Sequence, residues 1–410
     1  MRRVMAEFYD GPHATPAPSE DGPIYLGIGN LREDGLLDLG TIRHISEVDY
    51  AVWTRRVEPR PGDVVFTYEA SLHRYAIIPE GFRGCLGRRT ALIRPDPEVV
   101  NTKFLLYSFL SPQWRHGVQQ RVNIGSTVDR IPLVDFPNFP ITLPDLATQR
   151  RIASILSAYD DLIENNTRRI QILEEMAQAI YREWFVEFRF PGHEGLRMVD
   201  SALGPIPEGW GVRQLSDVVS TQYGYTESAT TEPIGPKFLR GMDMNKASFI
   251  DWSEVPYCPI LESDISKYRL EIGDVLVIRM ADPGKVSMVE IDVDAVFASY
   301  LVRLRPFDAS LLTPYFLFYM LLADSYQQFA RGATTGTTRG SLSAKVMTAF
   351  SFALPCEALQ EKFTAVIGPI RALLGNMLSQ NANLRQTRDL LLPRLISGEI
   401  DVSGLDLGDV

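Results

Sequence analysis

Few side chains in this sequence have the type and spacing to do chemistry. The five histidines (His13, His44, His73, His116 and His193) are scattered, and none has a ligating partner three or four residues away. Cys85, Cys258 and Cys356 lie far apart with no CxxC pair or Cys/His cluster, which points to reduced thiols in a cytoplasmic chain and away from a structural zinc. The stretch GATTGTTRG, Gly332 to Gly340, has the glycines of a phosphate loop but lacks the lysine that would reach the phosphates. GIGN, Gly27 to Asn30, is too short for a dinucleotide fingerprint. PDPEVVNTK, Pro95 to Lys103, has the outline of a nuclease carboxylate–lysine set, yet no second carboxylate stands one residue before the lysine. No catalytic residue, metal site or cofactor is therefore expected, and any chemistry belongs to a partner.

The question becomes what the chain positions, if not catalytic groups. Its 410 residues exceed one ordinary core and suit two or three domains, and the 45% hydrophobic fraction is that of a globular protein. The longest apolar run, Tyr315 to Ala323, is far shorter than the roughly 20 residues that cross a bilayer. MRRVMAEFYDGPH has arginines but no apolar stretch behind them, so no export signal is expected. The net charge of −10 disfavours a broad basic surface, although phosphate contacts need only a local patch of Arg and Lys.

The sequence repeats itself. PGDVVF at Pro61–Phe66 matches IGDVLV at Ile272–Val277, with Gly62 and Gly273 separated by 211 residues. The same shift of 211 relates Pro95 to Pro306, Gly125 to Gly336, Pro144 to Pro355 and Gln149 to Gln360. One offset held over about ninety residues marks a tandem duplication. Each half begins with short β-branched runs closed by turn residues, DVVFTY and ALIRP in one, DVLVIRM and LVRLRP in the other. An apolar helix follows, after Asn101 in the first half and after Thr313 in the second, where Pro314 suits the first turn. Next come the loops NIGSTVDR and ATTGTTRGS, then a short strand ending at Leu143-Pro144 or Leu354-Pro355, then a long helix.

Both long helices carry an apolar stripe in alternating steps of four and three. In the first it runs through Ile152, Leu156, Tyr159, Ile163, Asn166, Ile170, Leu173, Ala177, Ile180 and Trp184. In the second it runs through Phe363, Ile367, Ile370, Leu374, Met377, Asn381, Leu384, Arg388, Leu391 and Leu395. A sustained 3.5-residue period is the coiled-coil signature, and one Asn per stripe is the kind of polar residue that fixes register. Ile152 to Leu173 and Phe363 to Leu384 are thus the helix-pairing candidates. Phe190-Pro191-Gly192 is expected to stop the first helix, Pro393 to kink or break the second, and Gly398 to end the segment beyond that proline.

LPDLATQRRIASILSAYDDLIENNTRRIQILEEMAQAIYREWFVEF, beginning at Leu143, resembles the central helix of the DNA specificity (S) subunits of type I restriction–modification systems. LLPRLISGEIDV, Leu391 to Val402, resembles that family's C-terminal signature, and IPEGWGVRQLSDVV, Ile206 to Val219, the usual opening of its recognition domains. FYDGPHATP and the segment from Arg56 to Pro95 are similar to one recognition-domain type of such subunits. The resemblance covers essentially the whole chain. It implies an α+β protein of two tandem α/β target recognition domains separated by a long antiparallel two-helix coiled coil. The divisions would be recognition domain 1 at 1–143, central spacer helix at 144–190, linker at 191–205, recognition domain 2 at 206–354, and C-terminal spacer helix and tail at 355–410. The first half departs from the pattern in lacking the opening found at Trp210 to Leu215.

The resemblance further implies a non-catalytic subunit whose two domains each read one half of a split double-stranded DNA target. Two modification (methyltransferase) subunits, which use AdoMet and methylate adenine, would dock on the helices, and restriction subunits would bring an ATP-driven translocase and nuclease. From Ile152 to Trp184 the helix spans roughly 48 Å at about 1.5 Å per residue, somewhat over one turn of B-DNA, so the spacer would act as a ruler.

Base edges are read by Arg, Lys, Asn, Gln, Ser and Thr, while phosphate contacts fix position. The DNA-binding candidates of the first domain are Tyr68, Arg74, Arg83, Arg88 and Arg89, with Asn123, Ser126, Thr127 and Arg130 from NIGSTVDR. Those of the second are Arg279 and Lys285, with Thr334, Thr335, Thr337, Thr338 and Arg339 from the hydroxyl-rich loop. Gly125 and Gly336 would let the backbone approach a phosphate. Arg55, Arg56 and Arg60 read as structural or phosphate-facing. Two rival readings share these features. One is a specificity subunit of a related, non-type I methylase or defence complex. The other, which the acidic net charge mildly favours, is a coiled-coil scaffold whose domains bind protein instead of DNA.

Overall fold

A computed structural model of the chain describes residues 1–122, 128–244, 249–334 and 340–405. Two compact units emerge, one of Met1–Asn165 together with the chain from Asn381 onward, the other of Asn166–Gln380. Among the described residues no helix is long and apolar enough to cross a membrane.

The first unit contains strands β1 (Met5–Asp10), β2 (Ser19–Leu26) and β3 (Arg43–His44), helix α1 (Glu47–Trp53), and strands β4 (Val64–Thr67), β5 (Tyr75–Ile77), β6 (Gly84–Leu86) and β7 (Thr90–Pro95). Helices α2 (Thr102–Leu110) and α3 (Pro112–Gln119) follow, then the long α4 (Leu146–Tyr181), whose start belongs here. Its main sheet is antiparallel in the order β1-β7-β4-β5; a second sheet, β3-β2-β6, holds β2 and β6 parallel.

The second unit contains the rest of α4, a π-turn at Arg182–Val186, and strands β8 (Met198–Val199), β9 (Ile206–Pro207), β10 (Gly211–Gln214), β11 (Val219–Tyr223) and β12 (Lys237–Leu239). It continues with α5 (Gly241–Met244), α6 (Glu262–Tyr268), β13 (Val275–Ile278), β14 (Val286–Met288), β15 (Ala295–Phe297) and β16 (Leu301–Pro306). Helices α7 (Pro314–Leu322), α8 (Asp324–Ala333) and α9 (Ala344–Met347), strand β17 (Ser351–Leu354) and helix α10 (Glu357–Ser397) complete the order, the last part of α10 returning to the first unit. Its main sheet, β11-β16-β13-β14, repeats the first in order and sense, and β12 lies parallel to β15 as β2 does to β6.

The repeated motif is a turn whose geometry needs its residues. Gly62 and Gly273 sit at φ 88° and 91°, a region an L side chain enters only under strain. The next residue, Asp63 or Asp274, is almost fully buried and accepts a forked pair of guanidinium hydrogen bonds from one arginine across the sheet. Arg94 donates Nε and Nη2 to Asp63 at 2.9 Å each, and Arg305 donates them to Asp274 at 2.6 and 2.8 Å. Such forked pairs are among the stronger polar contacts available to a protein. Helix α2 starts where Asn101 accepts from the Phe104 N–H at 3.0 Å, and α7 where Thr313 accepts from that of Phe316 at 3.4 Å with Pro314 behind it. Both helices are apolar on nearly every face because the sheet and its neighbours cover them, burying Phe104–Phe109 and Phe316–Leu321.

The structure differs from the sequence expectations in three places. No strand forms at Ile141–Leu143. Its counterpart β17 pairs with β10, and no equivalent pairing is formed at Ile141–Leu143 among the described residues. The register is visible in one bond: the Met1 amine donates to Phe139 O at 2.5 Å, just as Leu215 N–H donates to Phe350 O at 2.9 Å. The four-stranded sheet is complete in both units regardless. Second, α10 runs unbroken through Pro393 to Ser397. A proline removes one ladder bond, but here Leu395 is buried, Leu391, Leu392 and Ile396 pack on the first unit's core, and Pro393 O accepts from Gln113 Nε2 at 3.1 Å. Gly398, at φ 77°, ends the helix. Third, the stripe of α4 slips after Ala177: Tyr181 and Phe185 are buried, whereas Ile180 and Trp184 are only partly so. A π-turn follows directly, with Glu187 N–H reaching Arg182 O at 2.9 Å.

Candidate nucleic-acid interface

Three segments meet on the first unit: the β4–β5 turn, the turn before β7, and the stretch 128–131. Tyr68 N–H donates to Arg89 O at 3.1 Å, Ile131 N–H to Tyr68 O at 2.8 Å, and Ala70 N–H to Asp129 O at 3.2 Å. An isolated β-bridge joins Glu69 to Arg130. Ala70, His73 and Arg89 all adopt left-handed backbone, at φ 72°, 64° and 70°, and such non-glycine strain concentrates where a turn is held for use. Around this frame Glu69 faces Arg89 at 2.8 Å and Arg130 at 3.8 Å, and the Arg130 guanidinium lies 5.5 Å from the centre of the Tyr68 ring. Tyr68 is buried, and that burial is the chief cause of its raised pKa.

The second unit builds the same turn. Ala281 stands at the repeat position of Ala70 with φ 71°, and the β-bridge recurs as Met280 with Ser341. Arg279 lies over the Tyr223 ring at 4.8 Å, its N–H donating to Tyr300 O at 2.9 Å and its carbonyl accepting from Leu342 N–H at 2.8 Å. Lys285 pairs with Asp282 at 2.6 Å, and Thr334 Oγ1 donates to Ala330 O at 2.7 Å at the end of α8.

Of the sequence candidates, Tyr68, Arg89 and Arg130 come together, and Arg88 is exposed in the same turn as Arg89. Arg74 faces another loop, donating to Ile28 O at 3.5 Å and pairing with Glu33 at 3.5 Å. Arg83 belongs to a different patch, where it grips Glu47 through bonds of 2.7 and 2.6 Å and covers the Tyr50 ring; its hydrogen bonds lower the Glu47 pKa. Asn123, Gly125, Ser126, Thr127, Thr335, Gly336, Thr337, Thr338 and Arg339 lie outside the described residues. Sequence reading missed Glu69, Tyr223 and the pair Ala70 and Ala281, although the last two stand at the repeat shift.

The helix-pairing candidates are all withdrawn from solvent to some degree. Ile152, Leu156, Asn166, Phe363, Ile367, Leu374, Met377 and Asn381 are buried; Tyr159, Ile163, Ile170, Leu173, Ile370 and Leu384 are half-buried. Within the first unit α4 and α10 run antiparallel, since Arg388 Nη1 donates to Asp160 at 2.6 Å and Asn381 Nδ2 to Ile163 O at 3.3 Å. Asp160 also accepts from Tyr107 Oη at 2.5 Å. In the second unit the Phe363 ring packs against Tyr181, Trp184 and Phe185 at centroid distances of 6.0, 5.9 and 5.0 Å.

Among the described residues no cluster of His, Cys, Asp or Glu could hold a metal ion. One α/β unit built twice, each copy carrying a strained turn with cations stacked on tyrosine, defines a duplicated recognition chain. The chain belongs to the type I restriction modification DNA specificity domain family, whose model matches residues 56–175 and again 207–369. It is similar to the type I restriction enzyme MjaIX specificity subunit of Methanocaldococcus jannaschii, 25% identical over 375 residues that cover 88% of this chain and 83% of that one. The type I restriction enzyme HindI specificity subunit of Haemophilus influenzae is 23% identical over 370 residues, covering 75% of this chain and 80% of its own. The fold is that of the type I restriction-modification S subunit from M. genitalium, with TM-score 0.57, 15% identity, and coverage of 96% of this chain and 95% of that one.

Proposed function

We propose that this chain is the non-catalytic DNA specificity subunit of a type I restriction–modification enzyme acting in the cytoplasm. Each recognition domain, 1–143 and 206–354, reads one half of a bipartite duplex target. The spacer helices at 144–190 and 355–410 set the gap between the halves and dock two AdoMet-using modification subunits, which restriction subunits then join. The observation that carries this reading is the duplicated turn, with Glu69–Arg130 and Met280–Ser341 bridged at the same repeat positions beside Ala70 and Ala281. Arg88, Arg89 and Arg130 in one domain, and Arg279 and Lys285 in the other, would meet DNA there. Exposed apolar residues support docking: Leu162, Ile172 and Met176 on α4, and Val366, Leu373 and Leu390 on α10, are the uncovered kind that partners bury.

Binding of the complex with its modification subunits to random bipartite duplexes, across a salt series, tests the reading. Sequence preference and a falling log–log salt slope are expected; no preference, or a flat slope, would sink it. The spacing role is tested by inserting one heptad after Asn165 in α4 and another after Gln380 in α10. That adds about 10 Å of helix, or roughly three base pairs of gap. An unchanged gap in methylation mapping would refute the ruler.

A further inference from the structure

We propose that Glu69 sets specificity in the first recognition domain by holding Arg89 and Arg130 as an internal substitute for DNA phosphate. The inference rests on the DNA-reading role above. A carboxylate on a DNA-facing surface should repel the duplex, so its presence needs a reason. Glu69 is a poor candidate for a merely solvated charge, because its side chain is only 18% exposed and lies between two guanidinium groups. Neither arginine makes a forked hydrogen-bonded pair like that of Arg94 with Asp63. Arg89 Nε lies 2.8 Å from the carboxylate without the alignment of a hydrogen bond, and Arg130 stands 3.8 Å away with half its side chain in solvent. Contacts of this kind position a cation and yet yield it to a better anion. Tyr68 is buried under Arg130, and the Glu69–Arg130 bridge and the Tyr68–Arg89 hydrogen bond tie the three segments together.

The second unit supplies the contrast. At the repeat positions of Glu69, Arg89 and Arg130 it carries Met280, Tyr300 and Ser341, and its stacked cation, Arg279 on Tyr223, stands at the position of Tyr68. Asp282 engages Lys285 three residues on, a pair that is nearly half exposed on both sides. The restraint on the arginines therefore belongs to one half of the molecule. With Glu69 present, the trio carries one net positive charge; any DNA must compete with the carboxylate for two arginines. Non-target duplex, offering only phosphates, competes poorly. A matching half-site adds base-edge contacts and draws both arginines across.

The test uses the full chain in complex with its modification subunits, a duplex selected by the wild-type complex from a random pool, and the unselected pool. Glu69→Gln is expected to tighten binding of the unselected pool about tenfold at low salt and to steepen its log–log salt slope by about one. Binding of the selected duplex should tighten less, so discrimination falls. Glu69→Ala should tighten pool binding in the same way, which keeps the idea testable if one variant folds poorly. Arg89→Ala and Arg130→Ala separate the two layers of argument. If they leave binding of both DNAs unchanged, the reading face itself is misassigned and the Glu69 proposal falls with it. If they weaken selected-duplex binding while Glu69→Gln changes neither slope nor discrimination, only the Glu69 proposal is overturned.

Discussion

The side chain of Gln149 accepts the backbone N–H of Asn101 at 2.9 Å and returns its own amide to Val99 O at 3.2 Å and Pro144 O at 2.9 Å. Gln360 does the same in the second unit, accepting from Thr313 N–H at 3.0 Å and donating to Leu311 O at 2.9 Å and Pro355 O at 3.2 Å. Both glutamines are buried, and each fastens the start of a long helix to the capping residue of the apolar helix beside it. Replacing either by Leu keeps the volume but leaves a buried N–H and carbonyls unpaired, at a cost of about 2–4 kcal/mol. Chemical denaturation should show a lower midpoint for Gln149→Leu and Gln360→Leu alike, and a change under 0.5 kcal/mol, the rough range of surface substitutions, would contradict the clasp.

Asp160 ties α2, α4 and α10 together by accepting from Tyr107 and Arg388 on separate oxygens. Asp160→Ala should destabilise by about 2 kcal/mol, because Tyr107 loses its acceptor and Arg388 keeps only Asp389. A double-mutant cycle with Arg388→Ala should return a coupling of about 1–2 kcal/mol. Strict additivity would show that the pair does not hold the helices.

Burial pushes the Tyr319 pKa up to about 12, above the value near 10 of an exposed tyrosine. Between pH 10 and 12 the unfolded chain releases this proton while the folded chain keeps it, so stability is level below pH 10 and lost as pH rises through that window. Tyr75, Tyr107, Tyr181 and Tyr326 are raised by burial too, so alkaline unfolding will persist in any single variant. In Tyr319→Phe the loss of stability between pH 9 and pH 12 should be smaller than in the wild type by about 2–3 kcal/mol. Equal losses in variant and wild type would place that hydroxyl outside the transition.

If the two turns serve separate half-sites, their variants must act on separate halves of the target. Arg89→Ala should relax methylation specificity in one half, and Arg279→Ala in the other, by about 1–3 kcal/mol where a base contact is lost. Mapping modified sites in cells decides this. Relaxation spread over both halves in either variant would refute the division of labour.

Much of this architecture was legible because duplication leaves the same chemistry at the same spacing. The shift of 211 located the Gly-Asp turns, the buried glutamines and the paired helices, since each solves one local problem twice. What escaped was whatever depended on a distant partner. A strand at Ile141–Leu143 would need a pairing like that of β17 with β10, a relationship across more than a hundred residues that no local pattern carries. Pro393 reads as a helix breaker until the core that packs on its neighbours is known. Arg83 and Arg89 look alike in FRGCLGRRT, yet one is spoken for by Glu47 and the other by Glu69. Glu69 itself went unnoticed because sequence reading of a DNA surface searches for cations.

The first unit buries Leu395 and Val402 in the same core as Val4 and Phe66. On the ribosome, where the amino-terminal part emerges first, this reverses the order of completion. The stretch from Asn166 to Gln380 is contiguous and holds every residue of its own unit, so it can close as soon as it has been made. The half that was translated earliest must wait, incomplete, for the last helix to leave the exit tunnel. A nascent chain that stalls late would therefore carry one finished reading domain and one still open.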